Sequence, residues 1–233
     1  MGERMMFLVF ETGMVLSVIG LIVAFSNGMF SGSVAFKAMA SLFFVLAGAC
    51  AYIRRKDKQR FFRIMLFALI CSMVGDVFLA LDQGQGILFV LGVASFAAAH
   101  VLFSVAFCSV SAVDRRDFAG VAVVFLGLLL LLLLGNFQYH GMLPVLILYS
   151  VVISVMSVKA VSLWRCRQNG KKAVLFIMAG GVLFLLSDIV LLFWLFGVNV
   201  PKLVQIVNWI IYYMAQGCLT AAMSVPQFHL CNE

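Results

Sequence analysis

The chain has 233 residues, of which 65% are hydrophobic and 11% charged, with a formal net charge of +7. Soluble domains carry about 25% charged and 45–50% apolar residues, so this composition excludes a water-soluble fold and predicts an all-α, polytopic membrane protein. Transmembrane barrels alternate apolar and polar residues along each strand, and the apolar runs here do not.

A hydrocarbon core of about 30 Å is crossed by about 20 apolar residues in a helix. Runs of that kind fall at 6–26, 34–53, 62–81, 86–110, 118–135, 142–163, 173–196 and 202–224, which predicts eight transmembrane helices. Only short loops remain, so a single integral membrane domain, 1–233, is expected. The first run does not read as a cleavable signal, because Glu11 interrupts its start and no small-residue cleavage site follows a charged leader. The fifth run contains seven consecutive leucines, Leu128 to Leu134, and reads as lipid-facing surface.

With eight spans, the two termini and the loops after helices 2, 4 and 6 share one side. All but Lys37 and Lys202 of the 16 basic residues fall there, in segments such as RRKDKQRFFR and RCRQNGKK. Basic loops stay in the cytoplasm, so both termini are expected to be cytoplasmic and the basic runs are topology signals. No nucleic-acid partner is expected. The short loops favour a bacterial inner membrane over the endoplasmic reticulum. Six scattered cysteines, Cys50, Cys71, Cys108, Cys166, Cys218 and Cys231, form no metal-binding or disulfide pattern and read as small apolar fillers.

In chain order, the spans carry a few polar side chains. Helix 2 has Lys37 in SVAFKAMA, either a lysine snorkelling to the interface or a partner for an acid or a lipid phosphate. Helix 3 has Asp76 in SMVGDVFLAL, and the GQG at 84–86 that follows reads as a tight turn, since no Lys-Ser/Thr continues it as a phosphate loop. Helix 4 has His100 in FAAAHVLFS, helix 7 has Asp188 in LFLLSDIVLL, and helix 8 has Asn208, Tyr212, Tyr213 and Gln216 in NWIIYYMAQG. His140 and His229 fall in a loop and the tail and read as solvated.

Ionisable groups inside spans are costly and usually face a protein interior or a wet cavity. Asp76 and Asp188 could serve only as helix-to-helix hydrogen-bonding groups, but their matching depth favours function. They stand 112 residues apart, and the same shift brings His100 onto Tyr212. A tandem repeat of four plus four helices, with halves at 1–115 and 116–233, would place the acids about a pseudo-twofold axis. Counted from the outer side, His100 is about 13 residues deep and the acids about five. That offset is about 12 Å along straight helices, so His100 is expected below the acids.

FKAMASLFF, SMVGD, FVLGVASFAAAHVLFSVAF, GGVLFLLSD and YYMAQG together resemble the YhhN-like lysoplasmalogenase family, in the right order and over most of the chain. Two positions depart from the usual pattern: Ala38 where proline is frequent, and Phe103 where tyrosine is frequent. The resemblance implies hydrolysis of the vinyl ether bond of a lysophospholipid substrate, giving a fatty aldehyde and glycerophosphocholine or glycerophosphoethanolamine. A vinyl ether is opened by protonation of its outer alkene carbon, and water then captures the oxocarbenium ion. Glycosidases meet a similar ion with two carboxylates. Asp76 is therefore expected as general acid and Asp188 as water-orienting base, with the order reversible. Lys37, His100, Asn208, Tyr212, Tyr213 and Gln216 are candidate substrate-binding residues, and no cofactor or metal is called for.

The rival reading is a proton-coupled transporter of small molecules or lipids, since buried acids also relay protons. Moving gates favour helices broken by internal Gly-Pro, whereas Pro144, Pro201 and Pro226 all lie near helix ends. A non-catalytic scaffold or lipid sensor would leave the pair of acids without a task other than a static clamp.

Overall fold

The computed structural model describes residues 2–54, 60–82, 86–165 and 170–225. Cys166, Arg167, His229, Cys231 and most of the GQG turn lie outside them. The described residues form eight helices: α1 (Gly2–Ser26), α2 (Phe30–Ile53), α3 (Arg60–Leu81), α4 (Ile87–Val110), α5 (Arg115–Leu134), α6 (Leu143–Ser162), α7 (Lys171–Phe196) and α8 (Lys202–Ser224). All eight are long and apolar enough to cross a membrane. The predicted eight-span, all-α class is what the chain adopts, as an integral multi-pass membrane protein.

Helix ends depart from the sequence reading by up to four residues. α2 begins at Phe30 because the Ser-Gly-Ser that follows does not break it: Ser33 Oγ and Ser33 N both bond the Met29 carbonyl. α5 begins at Arg115 because Asp114 and Asp117 form a reciprocal capping box ahead of the leucines. Lys159, buried in α6, donates to the Ala112 carbonyl at 2.7 Å and to Asp117 Oδ2 at 3.1 Å. Arg165 adds bonds of 3.0 Å to Asp114 and Asp117. This cluster ties the start of α5 to the end of α6.

Short connections make successive helices antiparallel, so one end of the bundle carries Lys37 and the other the basic helix ends. Helices α2, α3, α4, α6, α7 and α8 pack in that order around a ring, and α8 closes it on α2. α1 lies outside against α2 and α8, and α5 lies outside against α6. In lipid, helices associate through close packing of small residues rather than through the hydrophobic effect. Ala47, Gly48, Ala68, Ala99, Ala106, Ala160, Gly180, Ala215 and Ala222 are accordingly buried, with Gly48 against Leu69 and Gly180 against Leu219. The leucine run of α5 is only partly lipid-facing. Leu130, Leu133 and Leu134 are exposed, but Leu132 is buried and Leu128 packs on the core.

Gly180 shows how close these contacts are. A Cβ there would lie 2.8 Å from Leu219 Cγ and 3.2 Å from the Ala215 carbonyl. Gly180→Val should therefore separate α7 from α8 and destabilise the fold by about 1–3 kcal/mol. The check is a lowered unfolding midpoint in detergent, and an unchanged midpoint would refute tight packing there.

Candidate active site

Of the polar side chains singled out from the sequence, all but Asn208 gather in two separate clusters inside the ring. The first surrounds Asp76, which is 2% exposed. Its Oδ2 accepts hydrogen bonds of 2.7 Å from Ser41 Oγ and from Tyr212 Oη. Its Oδ1 lies 3.4 Å from Lys37 Nζ. Tyr213 Oη is 3.2 Å from both the Lys37 carbonyl and Ser41 Oγ, and Gln216 Nε2 donates to Tyr212 Oη at 3.1 Å. Burial disfavours a charge on this carboxyl group, while an ammonium and two hydroxyls aimed at it favour its charged form. A neutral Asp76 would leave Lys37 with no counter-charge in this cluster.

The second cluster surrounds Asp188. Its Oδ2 accepts from Tyr149 Oη at 2.8 Å and lies 3.2 Å from His100 Nε2, while Tyr149 Oη and His100 Nε2 are 2.7 Å apart. His100 is fully buried, its ring edge-on to Phe184 at 4.7 Å, and its Nδ1 has no hydrogen-bond partner. With a hydrogen on His100 Nε2, that nitrogen and the Tyr149 hydroxyl can both donate toward Asp188 Oδ2. No hydrogen bond is made to Asp188 Oδ1 among the described residues. Phe184 stands between the clusters, with its ring packed on His100 on one side and on Tyr212 at 5.4 Å on the other.

His100 therefore reaches Asp188 and does not sit below it. Asp188 is eight residues from the end of α7, not five, which shortens the offset to about 8 Å. The Cα–Cβ bond tilts toward a helix N-terminus. α7 and α4 run in opposite directions, so the two side chains lean toward each other and close the remaining gap. Asn208 is apart from both acids and donates to the Ser187 carbonyl at 2.7 Å, holding α8 to α7. Tyr149, Ser41, Lys202, Gln205 and Trp209 escaped the sequence reading.

Three cavities meet along Leu79, which lines them all. The first is a narrow slot of about 70 Å³ with walls from α3 to α7, including Val93, Leu128, Leu146, Ile153 and Leu192. Asp188 is its one charged wall residue among those described, and Tyr149 lies beside it. The second, of about 310 Å³, is walled by Lys37, Lys202, Gln205 and Trp209. The third, of about 710 Å³, is a vestibule at the Lys37 end bordered by Lys37, Asp82, His140 and Trp194. Among the described residues, no group of three or more His, Cys, Asp or Glu side chains could hold a metal ion.

The family model described as the YhhN family matches residues 32–223, which takes in both clusters. The chain belongs to the YhhN family. Among curated proteins, a YhhN-family chain of this kind is similar to the Sus scrofa protein named lysoplasmalogenase TMEM86B, 33% identical over 166 residues. That match covers 67% of this chain and 62% of the pig protein, so the chain spans under two thirds of that relative's length. No solved structure matches the chain. Family membership agrees with the resemblance read from FKAMASLFF, SMVGD and YYMAQG.

Proposed function

We propose that the chain is a lysoplasmalogenase, hydrolysing the vinyl ether bond of a single-chain alkenyl lysophospholipid. The observation that carries this reading is Asp188 on the wall of an apolar slot, its Oδ1 free of partners among the described residues and its Oδ2 held by Tyr149 and His100. The name of the pig relative supports it independently.

The first carbons of the hydrocarbon tail would occupy the slot and bring the vinyl ether to Asp188. The neutral carboxylic acid gives its Oδ1 proton to the outer alkene carbon, and the ether oxygen donates electrons to form an oxocarbenium ion. Water adds to the carbon next to that oxygen and returns a proton to the Asp188 carboxylate. The hemiacetal then breaks its bond to the glycerol oxygen while its hydroxyl proton passes to that oxygen, giving a fatty aldehyde and the free glycerophospho head group. Asp188 takes the acid role here because no ammonium stands beside it. Asp76, with Lys37 as its counter-charge, would be the carboxylate that offsets the cation. This is the reverse of the first order expected from the sequence.

The same reading extends to a duplicated fold with both termini cytoplasmic. The trio Lys37, Asp76 and Tyr212 has counterparts at Tyr149, Asp188 and His100, each shifted by 112 residues and each making the corresponding contacts. Gly48 against Leu69 is likewise matched by Ala160 against Gly181, and Gly75 against Phe96 by Ser187 against Asn208. The ring order of helices is also the one a twofold axis relating α1–α4 to α5–α8 would produce.

The test is aldehyde release by the purified protein from an alkenyl lysophospholipid, with the acyl lysophospholipid as control. Release from the alkenyl substrate alone is expected. No turnover across several detergents would overturn the assignment, and saturable proton-coupled flux in liposomes would put a transporter in its place.

A further inference from the structure

The proposed reaction employs both acids and the slot but leaves the 310 Å³ cavity without a task. Lys37, seven residues into α2, and Lys202, the first residue of α8, both line it, and no carboxylate among the described residues does. Asp76 offsets Lys37 from behind, at 3.4 Å. Lys202 pairs with no acid among the described residues, and its Nζ lies 5.6 Å over the Phe25 ring. Lys202 is exposed and Lys37 is not, and two ammonium groups lining one cavity repel each other unless an anion joins them.

The wall between the lysines carries a second signal. Trp209 and Gln205 are 5% and 7% exposed, and each buries a polar atom with no partner, the Nε1–H of the indole and the Oε1 of the amide. Buried polar groups in native proteins are nearly always bonded, so an unpaired donor beside two cations calls for an explanation. An acceptor-rich anion suits the indole donor, while the Gln205 oxygen calls for a donor such as a hydroxyl beside that anion.

We infer that the cavity walled by Lys37, Lys202, Gln205 and Trp209 is a subsite for the phosphodiester of a single-chain amphiphile. The lysines take the two non-bridging oxygens by charge-assisted hydrogen bonds, and the indole of Trp209 lies in the same wall. The rest of the head group then faces the 710 Å³ vestibule, which is roomy enough to tolerate different head-group termini. This inference rests on the proposed function for the identity of the lipid, whereas binding of the anion needs no turnover.

The test uses the full-length protein in a maltoside detergent, with binding read by tryptophan fluorescence. The probe is hexadecylphosphocholine, a phosphodiester with no vinyl ether. Hexadecyltrimethylammonium controls for the tail and the cation, and inorganic phosphate for the free anion. Saturable binding of hexadecylphosphocholine is expected, weakened about 10-fold by Lys202→Gln and largely kept by Lys202→Arg. With substrate, Lys202→Gln should raise KM by more than it lowers kcat. Unliganded unfolding midpoints of both variants report whether the fold is intact.

Equal affinity for the phosphocholine and ammonium amphiphiles would overturn the subsite, as would unchanged binding in Lys202→Gln with the fold intact. Saturation by inorganic phosphate at equal concentration would replace the lipid with a free anion. A chain that binds the phosphodiester through Lys202 but never hydrolyses a vinyl ether would sink the proposed function and leave this subsite standing.

Discussion

Asp188→Asn should lower aldehyde release from the alkenyl substrate by about 10²–10⁴-fold, the range expected when a positioned general acid is lost. Asparagine keeps the shape of aspartate, and its amide oxygen can still accept from Tyr149 and His100, so the α4–α6–α7 contacts survive. What disappears is the transferable proton. Rate should therefore fall while the unfolding midpoint and substrate affinity hold. Tyr149→Phe is a milder companion: it removes one of the two donors that orient Asp188 Oδ2 but leaves His100 in place. A loss of about 10-fold, in kcat rather than KM, is expected on the scale of about 1.4 kcal/mol per decade of rate. Full activity in Asp188→Asn would remove this residue from the chemistry and return the acid role to Asp76.

The eight spans and the family were legible in the sequence because continuous apolar runs of this length have few other stable forms in lipid. The acids stood out for the complementary reason: a carboxyl group is conspicuous in SMVGDVFLAL or LFLLSDIVLL. Their surroundings were far less legible. Tyr149 in LILYSVV resembles any tyrosine near a membrane interface, and only its 112-residue spacing from Lys37 marks it. Ser41 passes for a small packing residue until its hydroxyl is found 2.7 Å from Asp76. His100 was misplaced because counting residues gives the depth of a Cα, whereas side chains on antiparallel helices lean toward one another. The leucines of α5 carry no periodic polar marks, so nothing in them distinguished buried Leu132 from exposed Leu134.

The other large effect should be on stability, at the Lys37–Asp76 pair. Asp76→Asn keeps an acceptor for Ser41 and Tyr212 but leaves the Lys37 ammonium, 11% exposed, without its counter-charge. Lys37→Met does the converse, leaving the Asp76 carboxylate, 2% exposed, without its cation. Breaking a buried pair by removing one partner costs about 3–5 kcal/mol, mostly because of the charge left behind. Each single variant should therefore show a strongly lowered unfolding midpoint. The double variant Lys37→Met/Asp76→Asn removes both charges and should recover most of the loss, a large non-additive coupling in a double-mutant cycle. Recovery of the fold should not restore turnover, because the charge that offsets the oxocarbenium ion and one lysine of the phosphodiester subsite are both gone. If the two single losses simply add, Lys37 and Asp76 are not an energetically coupled pair. If the refolded double variant is fully active, the charge of Asp76 has no part in the reaction and Asp188 works alone.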